Sequence, residues 1–151
     1  MTTMPSLTSL PSFARASAPA DALPFPGGAT GAPRVLLRLE GALVLVLATL
    51  AYAHLGLAGW GLFAACFFTP DLAFLGYLAG PRLGAIAYNT THATLGYAGL
   101  AALGTVLGAP TLIALALIGV AHVGFDRMLG YGLKYGSAFG HTHLGVVGRG
   151  H

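Results

Sequence analysis

From residue 35 onward the chain is a series of long apolar runs separated by short breaks marked by Gly and Pro. The first run, Val35 to Leu55, follows Arg34, carries Arg38 and Glu40 near its start, and closes on Gly56-Leu57-Ala58-Gly59. The second, roughly Trp60 to Ala79, contains Pro70; the missing backbone N–H predicts a kink just ahead of Asp71. Gly80-Pro81-Arg82 predicts a tight loop into a third run, roughly Leu83 to Leu107, where Gly104 and Gly108 form a GxxxG pair suited to close helix approach. Gly108-Ala109-Pro110 turns the chain into a fourth run, roughly Pro110 to Leu129. Each run approaches the roughly 20 residues that cross a bilayer as a helix. The expected fold class is an all-α membrane protein with four transmembrane helices in an antiparallel bundle, N-in/C-in.

Composition strengthens this reading. Of 151 residues 56% are hydrophobic and 7% charged, and mean hydropathy is +0.77. A soluble domain carries about 25% charged residues, so this chain could not cover its surface in water. No Asp, Glu, Lys or Arg occurs between Leu83 and Phe125, a stretch that accommodates two spans. Residues 1–33, rich in Pro, Ser, Ala and Thr and without period, are expected to form a disordered cytoplasmic tail, not a secretory signal. Residues 34–146 are the expected transmembrane domain. A Gly/His-rich tail, Tyr131 to His151, is expected along the membrane surface, with 147–151 as a flexible end. Cys66 is the sole cysteine, which excludes an internal disulfide.

Charge then sets the orientation. The seven Lys and Arg residues lie in or near the N-terminal tail, the Gly80 loop and the C-terminal tail, whereas the Gly56 and Gly108 loops have none. Positive-inside topology places the charged side in the cytoplasm. Tyr77, Tyr88, Tyr131 and Tyr135 read as an interfacial belt on that side, with Trp60 on the other. The net charge of +3 includes no Lys/Arg cluster interleaved with aromatics, so nucleic acid is excluded as a partner. The lipid bilayer is the expected partner, and a homo-oligomer is compatible with the sequence.

Candidate chemistry comes from polar residues inside the apolar runs. At about 1.5 Å per residue, Asp71, His92 and His122 come out roughly 10–14 Å from the cytoplasmic helix ends, and Glu40, Asn89 and Asp126 roughly 5–9 Å. His122 and Asp126 are spaced i and i+4, hence share a helix face. Imidazole and carboxylate together suit Zn, Mn or Fe, and facing helices commonly build such sites. The expected ligands of a divalent metal ion are Asp71, His92, His122 and Asp126. His143, from the tail motif His141-Thr142-His143, completes the set from the cytoplasmic side. Glu40 and Asn89 are the candidate catalytic residues, orienting ligands or a bound water. An open coordination position would make this a membrane-embedded hydrolase.

Three other readings stay open. The polar groups could merely tie helices together, balanced by Arg38, Arg82 or Arg127. An ion or proton pathway would need polar groups toward the far face, where only Thr49, His54, Thr105 and Thr111 occur. Haem held between His92 and His122 fits poorly beside Asp71. No HExxH or CxxC spacing occurs to name a metal family, and Asn89-Thr90-Thr91 is no glycosylation acceptor at membrane depth.

The stretches Leu37 to Gly41, Pro70-Asp71-Leu72, Gly76 to Gly80, Tyr88-Asn89 with His92, Ala121-His122 through Asp126-Arg127 to Lys134, and Thr142 to Gly145 resemble an uncharacterised family of small bacterial integral membrane proteins, a domain of unknown function. The resemblance spans roughly residues 35–146. It implies a four-helix inner-membrane protein and carries no activity.

Overall fold

The computed structural model describes residues 27–148, which form five α-helices, one 3-10 helix and a two-stranded hairpin. The bulk of the expected N-terminal tail lies outside the described residues. Helix α1 runs Gly31–Leu55 and ends on Gly56, whose left-handed backbone (φ 57°) lets the chain turn without a Cβ clash. Helix α2, Trp60–Phe67, continues as a 3-10 helix, Thr69–Ala79. The change of helix type follows from Pro70. The Cys66 carbonyl, four residues earlier, loses its backbone donor, and the Thr69 hydroxyl donates to it instead at 2.7 Å.

The third apolar run is not one helix. Helix α3, Pro81–His92, stops at Ala93, which is extended (φ −82°, ψ 121°), and α4 restarts over Thr94–Val106. The break falls after Asn89-Thr90-Thr91-His92, four residues of weak helix propensity. The Thr91 hydroxyl donates to carbonyls rather than leaving the ladder alone, reaching Pro70 at 3.1 Å and Tyr88 at 3.0 Å. The Tyr97 hydroxyl takes up the freed Thr91 carbonyl at 2.7 Å. A broken helix at membrane depth is tolerable where its loose backbone groups find such partners.

Helix α5, Pro110–Leu129, is the centre of the fold and packs against α1, α2 and α4, while α3 packs against the 3-10 helix. Half of the most apolar window of α5 is buried, against 6% for the segment Trp60–Ala79. The close approach between helices comes from Gly41 and Gly124. A Cβ on Gly124 would strike the Leu45 backbone and the Gly41 carbonyl, and one on Gly41 would strike Arg127 and Met128. Of the GxxxG pair, Gly104 also permits close helix approach, a Cβ there striking Leu112 and Ile113 of α5, whereas Gly108 is a left-handed turn residue. Three segments, Gly31–Leu55, Trp60–Ala79 and Pro110–Leu129, are long and apolar enough to cross a membrane. Their outer faces expose large apolar side chains such as Leu43, Leu50, Leu72 and Leu78, as lipid-facing surfaces do.

The C-terminal segment is folded back on the helices. Beyond Gly130 it forms a compact cap, with β1 (His141–Thr142) antiparallel to β2 (Gly145–Val146) and a bridge from Lys134 to Thr142. Thr142 and Leu144 are buried, and the Ala29 backbone N–H donates to the His143 carbonyl at 2.8 Å. The physical reason is satisfaction of polar groups. Asn89 reaches down from α3 and binds both backbone groups of Lys134, at 2.7 and 2.8 Å.

Candidate metal centre

The two backbone breaks and the buried face of α5 meet at one place. Asp71 follows Pro70 at the start of the 3-10 helix, His92 is the last residue of α3, and His122 and Asp126 are successive turns of α5. One ligand atom from each of these four residues lies within 4.8 Å of all the others. His92 Nε2 stands 3.1 Å from His122 Nε2, 3.4 Å from Asp71 Oδ1 and 3.4 Å from Asp126 Oδ2. His122 Nε2 stands 3.5 Å from Asp71 Oδ1. With metal–ligand bonds of about 2.0–2.2 Å, a regular tetrahedron has edges of roughly 3.3–3.6 Å. Four of the six separations therefore lie near the edges of a tetrahedral donor set, and the other two lie within 4.8 Å.

Outer contacts aim the donors. His92 Nδ1 lies 2.9 Å from the Tyr88 carbonyl. Hydrogen bonding to a carbonyl, which only accepts, assigns the proton to Nδ1, with the Thr91 hydroxyl oxygen also 2.9 Å away, and leaves the Nε2 lone pair facing the centre. The Tyr88 hydroxyl donates to Asp126 Oδ2 at 2.6 Å, and its ring stacks on the His92 ring with centroids 3.6 Å apart. One tyrosine thus orients both a carboxylate and an imidazole, the arrangement that tunes metal ligands. The His122 ring is held edge-on by Phe67 and Phe68, and its Nδ1 is buried without a hydrogen-bond partner. His92 is 3% exposed and His122 fully buried, whereas the Asp71 side chain is 31% exposed. The centre therefore opens on the Asp71 side.

A family model described as Domain of unknown function (DUF4260) matches residues 34–147. The chain belongs to this family. No curated protein and no solved structure matches it. Asp71, His92, His122 and Asp126 all lie inside the stretch that matches DUF4260, as do Tyr88 and Lys134.

Other expected site residues fall elsewhere. His143 is not among the converging four; its Nδ1 accepts from the Leu133 backbone N–H at 2.8 Å. Burial pulls its pKa below the ordinary histidine value, with the nearby Arg127 charge acting in the same direction. Glu40 is exposed on α1 and shares with Arg127 and His143 a separate cavity of about 120 Å³. Asn89 spends its amide on the Lys134 backbone, so it clamps the cap instead of orienting a ligand. Arg38, a candidate counter-charge, donates to the Met128 carbonyl at the end of α5.

Two residues beside the centre, Tyr88 and Lys134, are not among the expected site residues. Tyr88 is buried and is no interfacial belt residue; its i and i+4 spacing to His92 was the available signal. Lys134 is 4% exposed and sits in a cage of rings, its Nζ 3.7 Å from the Phe139 centroid and 4.9, 5.4 and 5.9 Å from those of Tyr88, Phe74 and Tyr77. Burial lowers its pKa, while the fields of Asp126 and Asp71 favour its ammonium form. Nothing in the sequence near Lys134 announces the cage, because Tyr77, Phe74 and Tyr88 belong to other elements.

Proposed function

We propose that this protein is a multi-pass protein of the bacterial inner membrane, with four membrane-crossing segments and both termini cytoplasmic, that binds a divalent metal ion through Asp71, His92, His122 and Asp126. The observation that carries this reading is the convergence of four donor atoms within 4.8 Å of one another, four of the six separations falling between 3.1 and 3.5 Å. The His92–His122 contact adds to it. With His92 Nε2 already a bare lone pair, a proton on His122 Nε2 or a cation between the rings must occupy the 3.1 Å gap. Two carboxylates directed at the same point favour the cation. Two imidazoles and two carboxylates suit Zn, Mn or Fe.

Bound there, the ion would supply Lewis-acid chemistry, polarising a substrate oxygen or activating water for hydrolysis. Asp71, the exposed ligand, marks the side on which a reacting group would approach. Tyr88 would hold Asp126 in place throughout. A second reading, helix glue without a metal, is favoured by the Tyr88–Asp126 hydrogen bond, which satisfies a buried carboxylate unaided. A conducting pathway is disfavoured by the aromatic packing of Tyr52, Trp60, Phe63 and Phe67 along the other half of α5.

Elemental analysis of detergent-purified protein separates the readings. The metal reading expects one equivalent of a divalent ion in the wild type and its loss in His92→Ala and His122→Ala. Absence of stoichiometric metal from wild type reconstituted with Zn, Mn and Fe would overturn it.

A further inference from the structure

A groove of about 330 Å³ opens onto the candidate metal centre, lined by Asp71 and Asp126 together with Phe74, Phe125, Leu129, Tyr131 and Phe139. Two of the donor residues thus give a carboxylate end to a slot otherwise lined by aromatic and aliphatic side chains. Its volume lies at the low end of the range for small-molecule sites, about 300–1,000 Å³, which suits one hydrocarbon chain and not two. Leu129 and Phe139 at its rim are 46% and 51% exposed, so the slot is open to the outside of the molecule on an apolar border.

Charge selects the head group. A divalent ion cancels the two carboxylates, and what is left is the Lys134 ammonium, caged by Phe74 and Phe139, the same two rings that wall the groove. Desolvated charge on that scale is unfavourable without a counter-ion, and a single negative charge matches it.

Resting on the metal reading above, we propose that the groove binds a long-chain carboxylate drawn from the bilayer, its chain between Phe74, Phe125 and Leu129 and its carboxylate reaching the ion beside Asp71. This identifies the class of compound that the site accepts as ligand, whether as substrate or product. The bilayer supplies the chain at high local concentration beside the slot, and the head supplies selectivity through the ion and the Lys134 charge.

The test uses full-length protein in nanodiscs loaded with Co²⁺, whose visible absorption reports coordination number. Laurate is expected to shift and weaken the Co²⁺ bands saturably, at least about 100-fold more tightly than acetate, which has the same head and no chain. Dodecyltrimethylammonium, with the same chain and the opposite charge, is expected to leave the bands unchanged. Leu129→Trp, which fills the slot and touches no ligand atom, is expected to retain Co²⁺ and weaken laurate by about 10-fold or more. Failure of the wild type to take up Co²⁺ would overturn the metal reading and this inference with it. Uptake of Co²⁺ with laurate no tighter than acetate, or with the ammonium amphiphile equally effective, would overturn the inference and leave the metal reading standing.

Discussion

The two halves of α5 bury opposite kinds of side chain. Around Ala114 and Ile118 the helix meets Tyr52, Phe63 and Phe67, and the lone polar atom of Tyr52 is satisfied by the Gly59 carbonyl at 2.8 Å. Around His122 and Asp126 it meets Asp71, His92 and Tyr88, whose donors and acceptors converge on one point. The first half is closed by packing alone. The second leaves buried nitrogens that the protein's own groups do not fully satisfy, since His122 Nδ1 has no partner and two Nε2 atoms face each other. Packing without polar remainder makes a scaffold, and a polar remainder aimed at one point makes a site.

Five substitutions would break or sharpen that contrast. The largest concerns the ligands: His122→Ala should lower divalent-metal affinity by more than about 100-fold, well beyond what loss of an outer contact costs. The same variant should lose the fall in Tm that chelators cause in the wild type, because only a bound ion stabilises by mass action. Thermal melts with and without chelator check both; an unchanged chelator response would erase the distinction between the two halves.

Next, Tyr52→Ala at the apolar half should destabilise by about 3–5 kcal/mol through a buried cavity, while the folded fraction keeps its metal. Denaturant titration in mixed micelles, paired with elemental analysis, measures the two effects separately. A comparable loss of metal would show the halves to be coupled.

Tyr88→Phe keeps the ring that stacks on His92 and removes the donor to Asp126. A loss of about 10- to 100-fold in metal affinity is expected, as for other partners that orient ligands. The matched change at the other half, Tyr52→Phe, removes one hydrogen bond to Gly59 and should cost only about 1 kcal/mol, with affinity untouched.

The smallest effect is expected in the cap. Burial holds the His143 pKa below the ordinary value of 6.5, so the folded state prefers the neutral ring, whose Nδ1 accepts from Leu133. The unfolded chain then binds protons more readily, and stability rises with pH across the interval between the two values. The contribution is fully present above about pH 6.5 and is lost as pH falls from there toward and below the folded value. Tm followed from about pH 7.5 down to about pH 5.5 should fall more steeply in wild type than in His143→Gln. Parallel curves would remove His143 from the cap's energetics.

Much of the centre was legible from spacing. Asp71, His92, His122 and Asp126 were recognisable because polar side chains in apolar runs are expensive, and helical rise puts the first three at one depth with Asp126 about one turn nearer the cytoplasm. His122 and Asp126 needed nothing more than the i and i+4 relation. Glu40 has the same approximate depth and yet lies outside the centre, because depth along a helix says nothing of which way around it a side chain faces. Asn89 and Lys134 illustrate the same limit across longer separations: the pair forms only once the cap folds back on α3.

The sequence by itself determined the apolar segments and their breaks at Gly and Pro, and it singled out Asp71, His92, His122 and Asp126 along with His143, which lies outside the cluster, since these depend on composition, periodicity and local backbone chemistry. The tertiary structure decided what local chemistry leaves open. It placed α5 at the centre through the close fit of Gly41 against Gly124 and made Ala93 a break through the Thr91 and Tyr97 hydroxyls. It also turned the C-terminal tail into a cap that buries Lys134 beside the centre. Each of these rests on contacts between residues far apart in the chain, and no single segment holds the information to specify them.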